Sequence, residues 1–321
     1  MDRPERPFRF GLNGLEWGKA GGIDPSKREW LRRISRDAES AGYDIITFAD
    51  HVMPLMTPLI PALCAAEATK RIRFGTLVLN NDFWHPVLLA RDVAAISLLT
   101  DGRFELGLGA GHAKPEYDAM GLPFDPPGTR VARLREAVPL IQAMVRGESV
   151  TARGEHYSLT EASSGAPPCA VPLLIGGNGR NVLTLAGQSA DIVGLTGLAR
   201  SVDNGHAHQP TWTDQSLAER IGIVRESAGA RFDALELNAL VQSVVVTNDR
   251  RSAAAAFCEE VRALHIVLDV EEALTTPFLL FGTVTQIVEQ IRAHRERWGI
   301  TYWSTRLEAF TAMSEVIALL G

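Results

Sequence analysis

Several features that would mark a function are scarce in this chain. Of its 321 residues only three are cysteine, Cys64, Cys169 and Cys258. They lie far apart with no C-x-x-C pair, which argues against a disulfide framework or a cysteine-built zinc site and fits a reducing compartment. Aromatic residues make up 7%, and no basic stripe interleaves with them. Arg32, Arg33, Arg71, Arg73, Arg250 and Arg251 are scattered, and the net charge is −6. No nucleic-acid partner is expected from such a surface. No stretch approaches the roughly eighteen apolar residues of a membrane span, and the opening "MDRPERPFRF" has no apolar signal core. The expectation is a cytoplasmic protein without membrane contact.

Familiar catalytic signatures are missing too. There is no G-x-S-x-G elbow for a serine hydrolase, and neither G-x-G-x-x-G nor a P-loop for a nucleotide. The first strand, in "FGLNGLEW", has no H-x-H pair of the kind a metal-dependent barrel hydrolase places there. Only His206 and His208 have that spacing, in a long loop, and no metal is expected.

What remains is an ordinary globular composition, 46% hydrophobic and 22% charged, with a regular plan. Strand-like segments over 8–13, 43–50, 71–79, 103–111, 171–177, 191–195, 235–247 and 300–307 are apolar and rich in β-branched residues. Between them lie helix-like segments over 26–42, 58–69, 85–100, 129–147 and 181–190, and another closes the chain. In the first helix Trp30, Leu31, Ile34 and Ala38 share a face, and Gly42 suits its C-terminal stop. Eight alternations in about 300 residues spell a parallel sheet closed into a (β/α)8 barrel. No repeat or linker divides residues 1–321, so one domain is expected. A hairpin with a loop is inserted before strand five, over 150–170, and a long irregular stretch, 196–215, follows strand six.

Chemistry in such a barrel gathers at the C-terminal ends of the strands. There the sequence places Asp50 and His51 after strand two, Asn80, Asn81 and Asp82 after strand three, Ala110, Gly111 and His112 after strand four, and "GGNGRN" (Gly176 to Asn181) after strand five. An imidazole at a strand end can be a packed turn residue, or it can exchange a proton near neutral pH. The glycine-rich turn opens a helix, whose free N–H groups suit a phosphate, although a plain βα turn reads the same way. His85, before Pro86 at a helix start, reads as a cap. Trp17, Trp84, Trp212 and Trp303 are candidate pocket walls.

These segments resemble the bacterial luciferase-like superfamily and, within it, the coenzyme F420-dependent oxidoreductases. The resemblance rests on "AESAGYDIITFADHV", "GTLVLNNDFWHPVLLARDVAAISLLTDGRFELGLGAG", "EYDAMGLPF", "RVARLREAVPLIQAM", "GEHYSL", "PLLIGGNGRNVLTLAGQSADIVGL" and "FGTVTQIVEQIR", in the family's order and over most of the chain. It implies a luciferase-like barrel with F420 in its mouth, the phosphate lying near Gly177, Asn178, Gly179, Arg180 and Asn181. It implies a non-proline cis peptide at Leu77–Val78 behind the ring system, with Asn80, Ala110 and Gly111 lining the same cofactor site. Asp50 would touch the cofactor and His51 the reacting centre, with His112 beside them as a second catalytic candidate. Flavin mononucleotide (FMN) is the alternative cofactor, because FMN-dependent two-component monooxygenases share the scaffold, and a carrier without turnover is a third reading. The branch that oxidises sugar phosphates has a Trp four residues after the His, where Leu55 stands, and a Glu where His112 stands. Those departures point instead to reduction of an activated double bond, carbonyl or imine in a small organic substrate. A homodimer through the helices after strands two and three is also implied.

Overall fold

In the computed structural model, residues 6–14, 26–52, 57–202, 207–262 and 265–321 are described. Eight parallel strands carry the expected alternation: β1 (Arg9–Asn13), β2 (Ile45–Phe48), β3 (Arg73–Thr76), β4 (Phe104–Gly109), β5 (Leu173–Gly176), β6 (Ile192–Leu195), β7 (Glu236–Leu240) and β8 (Ile300–Arg306). They pair in chain order, β8 pairs with β1, and the circle is closed. This is a (β/α)8 barrel. The helices that matter for the site are α1 (Ser26–Ser40), α2 (Leu59–Glu67), α3 (Pro86–Leu99), α4 (Lys114–Met120), α5 (Pro127–Val145) and α6 (Arg180–Ser189).

Alternation along the strands divides the apolar residues between two cores. Leu12, Ile46, Phe74, Leu108 and Trp303 belong to a large cluster shared with the helices, whereas Ile45, Leu77, Leu174, Ile192, Leu240 and Tyr302 form a small separate one. The small cluster is the barrel interior, and glycines line part of it. At Gly107 a Cβ would overlap the Thr76 carbonyl oxygen, and Thr76 Oγ1 hydrogen-bonds both to the N–H and to the C=O of Gly107 at 2.9 Å.

Charge closes the N-terminal end of the barrel. Arg9, the first residue of β1, reaches Glu105 on β4 at 2.7 Å and Glu236 on β7 at 2.5 Å. Arg73 at the start of β3 also reaches Glu105, at 2.5 Å, and the Arg9 guanidinium lies 4.7 Å from the Tyr302 ring centroid. Chemistry is thereby left to the opposite mouth.

Three segments differ from their expected form. Strand three stops at Thr76, the Leu77–Val78 peptide is cis, and pairing with β4 resumes at Leu79–Asn80. The apolar run 235–247 is two strands: Glu236–Leu240 stays in the barrel, while Ser243–Val246 pairs outside it with Leu279–Gly282. Leu279–Gly282, in the unalternating run "LLFG", carries no periodic signal that tells strand from buried helix. The insertion before β5 is an antiparallel ladder, Val150–Arg153 with Ser158–Ala162, as expected. The stretch after β6, expected to be irregular, pairs Leu198–Val202 antiparallel to Ala207–Pro210.

Candidate active site

Because the barrel strands are parallel, every strand end named above opens on one mouth. Asp50–His51, Asn80, Gly111 and Gly177 share that rim. At its floor, Val78 lies between the glycines of two strands: a Cβ on Gly109 would sit 2.8 Å from Val78 Cγ2, and one on Gly176 would sit 3.0 Å from Val78 Cγ1. Bare backbone on β4 and β5 is what lets Val78 occupy that position.

The two titratable neighbours in "TFADHV" separate at once. Asp50 Oδ2 accepts from the backbone N–H of Asn80 at 3.1 Å and from Trp84 Nε1 at 2.7 Å. Burial holds the Asp50 carboxyl above the usual carboxylate range; the Trp84 and Asn80 hydrogen bonds oppose that shift, and the Glu116 carboxylate adds to it. His51 turns instead to α4, where its Nδ1 lies 2.6 Å from Glu116 Oε1. Its ring also meets the His112 ring edge-on, with centroids 5.9 Å apart. Asp50, His51, His112 and Glu116 therefore form one cluster.

A second layer holds this cluster in place. The hydroxyl of Tyr117, a residue fully buried beside Glu116, lies 3.1 Å from Asn80 Oδ1 and 3.0 Å from Asp82 Oδ2, with its one hydrogen between them. Burial, with the Asp82 charge beside it, pushes the Tyr117 phenol well above its ordinary range. Asp82 pairs with Arg133 of α5 at 2.8 Å, and Arg133 with Asp125 at 2.5 Å. Arg130, also on α5, donates to the Ala110 carbonyl at 3.3 Å. Gly111 has φ +76° and sits against Tyr117 and Asn80 with no room for a side chain. Asn80, Ala110 and Gly111 thus do structural work at the rim.

The "GGNGRN" turn brings Gly177, Asn178, Gly179, Arg180 and Asn181 to the start of α6. Gly179 is the N-cap, and no side chain caps that helix. A side chain at Gly179 would meet nothing within 4 Å, so there is open space beside the start of α6. Gly177 behaves differently: its N–H is spent on the Gly194 carbonyl at 3.2 Å, and a Cβ there would lie 2.5 Å from Val182 Cγ1. Asn178 Nδ2 donates to Thr196 Oγ1 at 2.6 Å, tying the turn to the end of β6.

Other expectations fall out of the site. Trp303 points outward from β8 into the helix-facing core beside His294, and Trp212 packs on Phe257. Trp303 thus faces away from the mouth, whereas Trp84 is at it. His85 caps α3, accepting from Val87 N at 3.3 Å. Trp17, Leu55 and His206 lie outside the described residues. Among the described residues no group of three or more His, Cys, Asp or Glu is placed to hold a metal ion, and no helix is long and apolar enough to cross a membrane. Glu116 and Tyr117 had no local signal, because their partners lie 65 and 37 residues away.

A sequence profile of the luciferase-like monooxygenase family matches residues 16–302. An F420-dependent glucose-6-phosphate dehydrogenase of Nakamurella multipartita is 33% identical over 241 residues, which cover 72% of this chain and 66% of that protein. The enzyme of the same description from Beutenbergia cavernae is 37% identical over 163 residues, 48% of each chain, so the match spans about half of that relative's length. The coenzyme F420-dependent tetrahydromethanopterin reductase of Methanopyrus kandleri superposes over 97% of this chain and 98% of its own, with TM-score 0.73 at 18% identity.

Proposed function

The chain belongs to the luciferase-like monooxygenase family, and we propose that it is a coenzyme F420-dependent oxidoreductase acting on a small organic substrate. The curated relatives named above, described as F420-dependent, support the choice of cofactor. The observation that carries the reading is the convergence on one rim of Asp50–His51 with the uncapped start of α6. A phosphate-bearing cofactor fits these residues. The N–H groups opening α6 would hold its phosphate, the Val78 floor and the bare Gly109 and Gly176 would face its ring, and Asp50 would contact its edge.

When bound, a deazaflavin supplies or removes a hydride. The protein must then handle the matching proton, and His51 is the side chain whose ordinary range suits that work. Asp50 fixes the rim through Asn80 and Trp84, and His112 borders the space in front of His51. We further propose a substrate with an activated double bond, carbonyl or imine. The reading rests on His112 and Leu55 standing where the sugar-phosphate-oxidising branch has Glu and Trp. Ile60 on α2 and Leu88, Leu98 and Leu99 on α3 are exposed, which supports a homodimer through those helices; a monomeric mass in light scattering at micromolar concentration would count against it.

The test is fluorescence titration of the protein with F420 and, separately, with FMN. Binding of F420 without FMN is expected. Reduced F420 is then offered a panel of enones, ketones and imines, and oxidised F420 is offered glucose 6-phosphate. Binding of FMN alone would replace this reading with the monooxygenase one.

A further inference from the structure

The geometry points to Glu116 as a positioning residue that fixes the tautomer of His51, so that Nε2 is the nitrogen that exchanges a proton with substrate. The inference deepens the proposed function and rests on its assignment of His51.

A carboxylate only accepts hydrogen bonds, so the 2.6 Å contact between His51 Nδ1 and Glu116 Oε1 requires the hydrogen to be on Nδ1. The neutral ring then carries its lone pair on Nε2. Glu116 is well placed to impose this. Its side chain is 13% exposed against 35% for His51, and the next residue, Tyr117, is locked to Asn80 and Asp82. Asn80 in turn donates its backbone N–H to Asp50. The contacts run from Asp50 through Asn80 and Tyr117 to Glu116 and return to His51, the chain neighbour of Asp50. A shift of α4 would therefore disturb both rim groups together.

Among the described residues, the titratable groups that face the imidazole include Asp50 on its own segment, Glu116 on α4 and His112 after β4. The two carboxylates favour imidazolium, and a charged His112 opposes it. In the reducing direction the Nε2 proton passes to the substrate oxygen or nitrogen as hydride arrives at carbon. The π bond is converted into C–H and O–H or N–H bonds. The ring is left neutral with Nδ1–H on Glu116.

The test begins with the cofactor-free protein labelled with 15N-histidine, His51 being assigned by its disappearance in His51→Ala. At pH 8 the Nδ1–H tautomer is expected. In Glu116→Gln the midpoint of the His51 titration should fall by about one pH unit or more. With F420 and substrate, kcat should fall roughly 10- to 100-fold, the size seen when a metal-bound histidine loses its orienting partner, while F420 affinity stays within a few-fold. An Nε2–H tautomer in the parent protein overturns the proposal, and does so even if Glu116→Gln fails to fold. So does an unmoved His51 titration in a folded Glu116→Gln, because a kcat loss alone would then mark Glu116 as a packing residue. Failure to bind F420 would remove the functional reading and leave the tautomer measurement standing.

Discussion

The indole N–H of Trp84 donates to Asp50 Oδ2 at 2.7 Å, so the carboxylate beside His51 is held from the segment after β3 and not from its own strand. That same oxygen takes the Asn80 N–H. One buried oxygen with two donors is an arrangement that an amide oxygen reproduces, which makes asparagine the informative replacement.

Burial, with the charge of Glu116 added, raises the Asp50 carboxyl above its ordinary value. An acid raised on folding stabilises the fold below its unfolded pKa of about 3.9, and that contribution is lost as the pH rises through the folded value. Asp50→Asn avoids the penalty of a buried charge. Its Tm should exceed that of the parent at pH 7 to 8, with the gap closing below about pH 4. F420 affinity should move the other way and weaken, as when a site trades stability for function. Thermal scans across pH check the first part; a parent protein as stable as the variant at pH 8 would refute it.

The start of α6 offers a test of anion binding that Gly177 does not. Substitution at Gly177 collides with Val182 inside the fold, so any loss there is ambiguous. Gly179 has φ −78° and ψ 150°, an ordinary extended backbone, with open space around it. Gly179→Asp supplies a good N-cap and should leave Tm unchanged or slightly higher. Its charge should repel a phosphate and raise the F420 dissociation constant by at least about tenfold, equivalent to ~1.4 kcal/mol. Gly179→Ser, a cap without charge, should bind nearly as the parent does. Equal affinity of Gly179→Asp and Gly179→Ser would place the phosphate elsewhere.

What the sequence made legible divides along physical lines. The eight barrel strands and the rim clusters were readable because period-2 alternation and βα turns are local. Asp50 and His51 could be placed at the mouth for the same reason, and the family pattern marked Leu77–Val78. The contacts that organise the site were not readable. Trp84 reaching Asp50, Tyr117 reaching Asn80 and Glu116 reaching His51 join residues more than thirty positions apart, and no spacing rule encodes them. The pairing of Ser243–Val246 with Leu279–Gly282 escaped similarly, since it joins segments far apart in the chain.

The ion cluster at the opposite end gives a stability prediction separate from function. Arg9 is the charge shared by Glu105 and Glu236, whose side chains are 5% and 7% exposed. Burial is the main influence holding Glu236 above the usual carboxylate range, with Arg9 opposing it. Arg9→Met would strand the buried Glu236 carboxylate and leave Glu105 with Arg73 alone, and should cost about 3–5 kcal/mol in urea unfolding at pH 7. Arg9→Met with Glu105→Gln and Glu236→Gln should regain a large part of that loss. F420 affinity of the folded protein should be unchanged in both, because the cluster lies at the far end of the barrel. A single variant as stable as the parent would show that the acids are not held by Arg9.

The assignment of His51 carries the most chemistry and allows the sharpest separation of roles. His51 is partly exposed at the mouth and bonds to Glu116 and not to Asp50's donors. Its removal therefore leaves the Trp84–Asp50–Asn80 contacts intact, and His51→Ala should keep F420 affinity within a few-fold. Turnover should fall on the order of 10²–10⁴, the size of a positioned acid–base contribution. Asp50→Ala should show the opposite order, weakening cofactor binding first, because it removes the acceptor of both rim donors. If His51 only packed against α4, His51→Ala would lower Tm while the folded fraction kept its activity. Binding, turnover and melting measured together on the two variants distinguish these outcomes. A stable His51→Ala protein that turns over at the parent rate would end the proton-transfer assignment.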